Sequence, residues 1–208
     1  MRVLVFGATG SVGRHVVEQG LARGHEVAAF VRDPAGLDAG HEEGLTVVEG
    51  DVLDAAAVKR AVRGQEAVLC SLGAGRKGGV RSEGTRNIIR GMEEAGVRRL
   101  VCQTTLGAGD SSGNLNFFWK RIMFGLLLRD AFADHEQQEA YVVRSDLDWT
   151  IVRPAAFTDG ELTGAYRHGF PPTKRDLSLK ISRADVAGFM LDQLTDDTYL
   201  RKTPGLSY

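Results

Sequence analysis

VLVFGATGSVGRHVV (residues 3–17) sets Gly7, Gly10 and Gly13 between a β-rich apolar run and a segment with Val12, Val16, Val17 and then Leu21 on one helical face. The first part reads as a buried strand and the second as an amphipathic helix. A joint of this kind suits an anion. Glycines allow a tight turn and close backbone approach to a pyrophosphate, and the free N–H groups and dipole of the helix N-terminus favour negative charge. The spacing is Gly-x-x-Gly-x-x-Gly rather than the commoner Gly-x-Gly-x-x-Gly. Its position after the first strand, at the head of a β-α-β series, separates it from three glycines that only turn a corner. Gly7, Ala8, Thr9, Gly10, Ser11, Val12 and Gly13 are therefore the candidate phosphate cradle.

Further strand-like runs follow at Val27–Val31, Leu45–Val48, Ala67–Leu72, Leu100–Thr104 and Trp149–Val152. They are nearly continuous in apolar residues, as expected of parallel strands covered on both faces. Helical segments separate them: one from Asp54, a candidate N-cap, to Gly64, and another from about Arg81 to Ala95, stopping at Gly96. The alternation predicts an α/β fold, a doubly wound parallel sheet in three α/β/α layers, as one domain over residues 1–208. Residues 155–176 (AAFTDGELTGAYRHGFPPTKRD) lack periodicity and read as a long loop or small lid, in which Tyr166 and His168 are candidates to cover a substrate. A short strand over Leu177–Ile181, a helix capped by Ser182 with Asp185 in its first turn, and an edge strand within the tail 199–208 complete the expectation.

The chain has 208 residues, 43% hydrophobic and 25% charged, with 26 Gly and 5 Pro, so it is long enough for a sizeable core and is not low in complexity. Its formal net charge of -1, with the basic residues dispersed, gives no footprint for nucleic acid or an anionic membrane. The opening residues have too short an apolar run for a signal peptide. The run Ile122–Leu128, flanked by Lys120, Arg121 and Arg129, falls short of the roughly 20 residues of a spanning helix. A soluble, cytoplasmic protein is expected, monomeric or homodimeric, with a small-molecule substrate. Cys70 and Cys102 lie in strand-like runs and read as buried thiols rather than a disulfide or metal site.

At the end of the second strand, FVRDP offers Arg32 and Asp33. An acidic side chain there accepts the adenosine ribose hydroxyls of NAD(H), whereas an arginine pairs with the 2′-phosphate of NADP(H). Arg32 comes first after the strand and Asp33, before Pro34, reads as a turn residue, which favours NADP(H) over NAD(H). After the third strand, Asp51 and Val52 stand to approach the adenine. Asp51 either accepts a bond from its amino group or caps the next turn.

GATGSVG (7–13), VRDP (31–34), EGD (49–51), TTLGAG (104–109), LDWTIVRPAAF (147–157) and ISRADVAGFML (181–191) together resemble the atypical short-chain dehydrogenase/reductase group, an NAD(P)-binding Rossmann-fold family that includes the NmrA-like proteins and reductases of the biliverdin reductase B, or flavin reductase, type. The resemblance implies that Ser71, Leu72 and Gly73 pass the ribose and pyrophosphate and that Pro154, Ala155, Ala156 and Phe157 line the nicotinamide. Thr105 falls where related reductases place a serine, beside Thr104 on a strand whose side chains alternate; Thr105 is preferred as the one facing the cleft.

Most short-chain dehydrogenases use a Tyr-x-x-x-Lys pair, in which the lysine lowers the tyrosine pKa and the tyrosine supplies the proton. Aligned on the family's segment, Ala131 takes the tyrosine position, His135 the lysine position and Glu139 that of a helix glutamate. The missing pair argues against ordinary ketone reduction, where a developing alkoxide requires a donor. It does not argue against hydride transfer to flavins, quinones or linear tetrapyrroles, which spread the added charge over a π system. Reductases of the biliverdin reductase B type also lack the pair and carry a DH dipeptide in this helix; their histidine after the proline turn is Ala156 here. His135 is either a proton donor or anion contact, or a helix histidine satisfied by ribose, water or Asp134. Phe117, Phe118, Trp119 and Phe124 read as core or dimer surface. The leading expectation is an NADPH-dependent reductase of a planar conjugated acceptor, with Thr105 and His135 as catalytic candidates. The alternatives are a cofactor-binding sensor of NmrA type and an epimerase or isomerase.

Overall fold

The computed structural model describes residues 1–37, 42–73, 75 and 78–208. Its order is β1 (Arg2–Phe6), α1 (Gly13–Ala22), β2 (Glu26–Val31), β3 (Leu45–Glu49), α2 (Ala55–Val62), β4 (Ala67–Cys70), α3 (Val80–Ala95), β5 (Arg99–Gln103), α4 (Arg129–Arg144), β6 (Asp148–Pro154), β7 (Ala156–Thr158), β8 (Arg167–His168), β9 (Lys180–Ser182), α5 (Arg183–Asp192) and β10 (Gly205–Ser207). Eight strands form one sheet in the order β3-β2-β1-β4-β5-β6-β10-β8, parallel except for the β10–β8 pair. The order reverses between β1 and β4, which puts a crevice at the carboxyl end of β1, where open α/β sheets bind ligands.

Both faces of the central strands β1, β2, β4, β5 and β6 are buried, which is why they are apolar at successive positions. Val3, Val5, Val27 and Val101 pack with α1 and α5; Leu4, Phe6, Val68, Leu100 and Cys102 pack with residues of α2, α3 and α4. Three layers and a Rossmann-type winding follow. Cys70 and Cys102 are register partners on β4 and β5 and both are buried free thiols. Asp54 caps α2, accepting from the N–H groups of Ala56 at 2.8 Å and Ala57 at 3.2 Å. No side chain of its own caps α3; Asp134 of α4 does so across the interface, accepting from Arg81 N–H at 3.1 Å and Ser82 N–H at 3.0 Å. This bond set ties the two helices that flank the site.

Three expectations need correction. The strand foreseen over Leu177–Ile181 starts only at Lys180, because Leu179 takes φ 55°, a left-handed conformation that interrupts the extended chain. Residues 155–176, read as a long loop or small lid, contain paired strands: β7 pairs with β9, β8 pairs with β10, and the buried Asp185 accepts from Thr163 N–H at 2.8 Å, Gly164 N–H at 2.9 Å and the Tyr208 hydroxyl at 2.6 Å. The tail strand β10 lies inside the sheet, between β6 and β8, so β8 holds the edge. Among the described residues no helix is long and apolar enough to cross a membrane. The apolar run after Lys120 instead belongs to a π-helical segment, Phe118–Leu127.

Candidate functional site

The carboxyl ends of β1, β2, β4, β5 and β6 open onto a cavity of about 580 Å³, inside the range of about 300–1,000 Å³ usual for small-molecule sites. The glycine turn forms its floor. Gly7 has φ 80°, and a Cβ there would sit 2.5 Å from the Ser71 carbonyl oxygen; a Cβ on Gly13 would overlap the Gly7 carbonyl. Side chains at these two positions would force β1, β4 and α1 apart. No side chain caps the N-terminus of α1; the Arg14 N–H is taken by the Gly10 carbonyl at 3.1 Å, and the positive end of the helix dipole lies at the cavity, where it favours an anion. Gly7, Thr9, Gly10, Ser11 and Val12 line the cavity, whereas Ala8 is fully buried in the core and Gly13 lies under the turn. Ala8 and Gly13 are thus supports of the cradle and not part of its surface.

On the β2–β3 side, Arg32 lines the cavity and is exposed, and its guanidinium has no hydrogen-bond or ion-pair partner among the described residues. Asp33 is a turn residue, accepting from Ala35 N–H at 3.0 Å. Asp51 and Val52 also line the cavity. Asp51 commits Oδ1 to Leu53 N–H at 2.9 Å, so it does cap the turn before α2 while facing the cavity.

Ser71, Leu72 and Gly73 continue the wall at the end of β4, and Pro154, Ala155, Ala156 and Phe157 close it beyond β6. The two threonines differ as alternation requires. Thr104 donates to Glu139 Oε1 at 2.7 Å, while the only bond of the Thr105 hydroxyl among the described residues is a 3.4 Å contact to the Leu106 carbonyl. Thr105 keeps the less committed hydroxyl. Glu139 also receives a two-pronged bond from Arg153, Nε to Oε1 at 2.9 Å and Nη2 to Oε2 at 2.7 Å, and Arg153 bonds Asp110. Although burial works against its charge, these carboxylates hold the Arg153 pKa above its ordinary value. The set pins β5, β6 and α4 together beneath the threonines.

His135 lines the cavity from α4, half-buried, with Nδ1 at 3.2 Å from Gln138 Oε1. The Gln138 amide nitrogen is used by Thr85 Oγ1 at 3.0 Å and Cys102 Sγ at 3.2 Å, so its oxygen accepts from Nδ1–H. Nε2 then carries the lone pair. Burial first, and the nearby Arg81 charge second, lower the His135 pKa to about 4, so at neutral pH the ring is uncharged and cannot donate as an imidazolium. This weighs against the proton-donor reading and toward the helix histidine satisfied by a neighbour. It also gives a signed prediction. The unfolded chain takes the proton near 6.5 and the folded one only near 4, so stability is full above that window and falls as pH drops through it. Denaturant unfolding should show a loss of about 1–2 kcal/mol between pH 7 and pH 5 that His135→Gln removes.

The remaining wall was not found by sequence reasoning. Leu106, Leu115, Trp119, Met123, Phe124 and Leu128 enclose the outer half of the cavity. Trp119 and Phe124 have ring centroids 5.8 Å apart, and Phe124 stacks on Phe132 at 4.6 Å. Only Phe117 and Phe118 of the aromatic cluster are exposed. Trp119 and Phe124 are five positions apart, about 140° on an α-helix and so on different faces, and only the π-helical winding of Phe118–Leu127 brings them to one wall. Tyr166 and His168 lie elsewhere: they pack on Phe189, and His168 Nδ1 is 2.7 Å from the Tyr199 hydroxyl, away from the cavity. Arg183, at the rim, bonds Asp159 at 2.7 Å with its guanidinium 5.4 Å over the Phe157 ring. Among the described residues, no tyrosine or lysine lines the cavity.

A family model described as NAD(P)H-binding matches residues 7–197. The chain belongs to the NAD(P)H-binding family. The UPF0659 protein of Saccharomyces cerevisiae is 28% identical over 93% of this chain and 87% of its own length. The photosystem II assembly factor Ycf39 of Synechocystis is 29% identical over 80% of this chain, which spans only 48% of that relative. The structure of ChuY from Escherichia coli, described as an anaerobilin reductase, superposes with a TM-score of 0.82, 27% identity and coverage of 99% of this chain and 96% of that one. The glycine turn, which begins the family match, is also the floor of the cavity, and the uncapped helix above it fits a dinucleotide phosphate.

Proposed function

We propose that the chain is an NADPH-dependent reductase of a planar conjugated acceptor, a flavin, quinone or linear tetrapyrrole, working without a Tyr-x-x-x-Lys pair. The carrying observation is one continuous cavity that joins the glycine turn to an apolar slot between Trp119, Phe124 and the Pro154–Phe157 turn, with no tyrosine or lysine lining it among the described residues. The likeness to ChuY supports this acceptor class.

The nicotinamide cofactor supplies the hydride when bound. The chain supplies position. The α1 N-terminus holds the pyrophosphate, Arg32 the 2′-phosphate, and Asp51 and Val52 the adenine edge. Ser71, Leu72 and Gly73 flank the second ribose, and the aromatic slot presses a flat acceptor against the nicotinamide face while excluding water. Thr105 donates to the acceptor, and neutral His135 offers Nε2 as an acceptor to a hydroxyl. The balancing proton comes from solvent, which a delocalised anion tolerates.

The test is to measure NADPH and NADH affinity and to follow NADPH oxidation with FMN, a quinone and biliverdin. Turnover of at least one is expected; tight binding with no turnover of any would sink the reading. A cofactor-binding sensor or assembly protein is the second reading. It is favoured by the likeness to Ycf39 and by the exposed Phe117, Phe118, Leu126 and Leu127.

A further inference from the structure

Gln103 ends β5 in register with Val152 of β6, and one step beyond the Cys70–Cys102 pair that aligns β4 with β5. Its strand neighbours on either side face the opposite layer: Cys102 packs with the α2–α3 core, and the Thr104 hydroxyl bonds Glu139 of α4. Gln103 therefore shares the face of Val101, toward α1, and it lines the cavity while being only 7% exposed. Its Oε1 is buried and has no hydrogen-bond partner among the described residues. Buried amide oxygens are almost always satisfied, and an orphan at the wall of a ligand cavity points to a donor carried by the ligand.

The direction of the cavity says which donor. Arg32 and Asp51 mark the adenosine half on the β2–β3 side of the glycine turn, so the other half of a bound dinucleotide lies over the ends of β4, β5 and β6. Gln103 lines the cavity together with Ser71 and Pro154, and Thr105, Leu106, Ala155 and Leu179 are also among its lining residues. The nicotinamide ring itself carries one strong donor, its carboxamide NH₂.

We infer that Gln103 Oε1 accepts a hydrogen bond from the nicotinamide carboxamide and so sets the rotation of the ring in the site. The inference rests on the dinucleotide reading above. Gln103 is in this account a positioning residue; it moves no proton.

Calorimetric titration with three probes tests it: NADP⁺, its 3-acetylpyridine analogue, in which a methyl group replaces the NH₂, and 2′,5′-ADP, which carries only the adenosine half. The wild-type protein should bind NADP⁺ about tenfold more tightly than the analogue, the effect of one buried hydrogen bond. Gln103→Leu should erase that preference by weakening NADP⁺ alone, with affinities for the analogue and 2′,5′-ADP unchanged. Gln103→Glu, which keeps an acceptor oxygen, should retain the preference. Equal wild-type affinity for NADP⁺ and the analogue would overturn the inference while leaving the cofactor reading intact, as would a Gln103→Leu variant that weakens all three probes alike. Absence of binding by NADP⁺ and 2′,5′-ADP together would overturn the cofactor reading and this inference with it.

Discussion

Glu139→Ala should lower the stability of the protein by about 3–5 kcal/mol, the usual cost of stripping one partner from a buried ion pair. Glu139 and Arg153 are 6% and 4% exposed and meet in a two-pronged contact, with Thr104 on the same carboxylate, so the lost charge is a largely desolvated one. The Arg153 guanidinium would stay buried with only Asp110, itself largely exposed, as its counter-charge. Urea unfolding read by circular dichroism measures the loss directly. Because the pair joins β5, β6 and α4 under Thr104 and Thr105, cofactor affinity should fall with stability. Glu139→Gln, which keeps the shape and one acceptor, should cost less. A change under about 1 kcal/mol in Glu139→Ala would mean that the contact behaves as a surface pair.

Arg32→Ala should weaken NADPH binding by about 100-fold and NADH binding by less than about threefold. An arginine–phosphate pair is charge-assisted and two-pronged, and bonds of that kind contribute on the order of 1.5–3 kcal/mol. Arg32 is held by no other residue among those described, so it is available to a 2′-phosphate. Raising the salt concentration should shrink the difference, since the guanidinium is exposed. Equal losses for the two cofactors would remove Arg32 as the discriminating residue, and a wild-type preference for NADH would reverse the assignment.

The sheet was legible because both faces of its central strands are buried: Val3 to Phe6 alternate between two cores, and continuous apolar strands separated by helical periods leave few other architectures. The phosphate side of the site was legible for a related reason. Gly7 and Gly13 sit where any side chain would collide with backbone, so the requirement is local and shows in the sequence. The outer half was not legible in this way. Trp119, Met123 and Phe124 become a cavity wall only because residues 118–127 wind as a π-helix that packs against α4, which an apolar run does not announce. Tyr166 and His168 looked like lid residues because their loop lacks periodicity; pairing of β8 with β10 turns them onto Phe189. The Asp134 cap on α3 and the Glu139–Arg153 pair join residues far apart in sequence, so only their spatial meeting shows what they do.

The central claim is hydride transfer to a delocalised acceptor from a site with no tyrosine–lysine donor pair. Mixing the protein anaerobically with FMN, a quinone or biliverdin and NADPH deuterated on one face of nicotinamide C4 tests it most directly. The account predicts oxidation of NADPH by at least one acceptor, slowed by a primary isotope effect for one face only and not for the other. NADPH that binds tightly yet is oxidised by none of the three would contradict it.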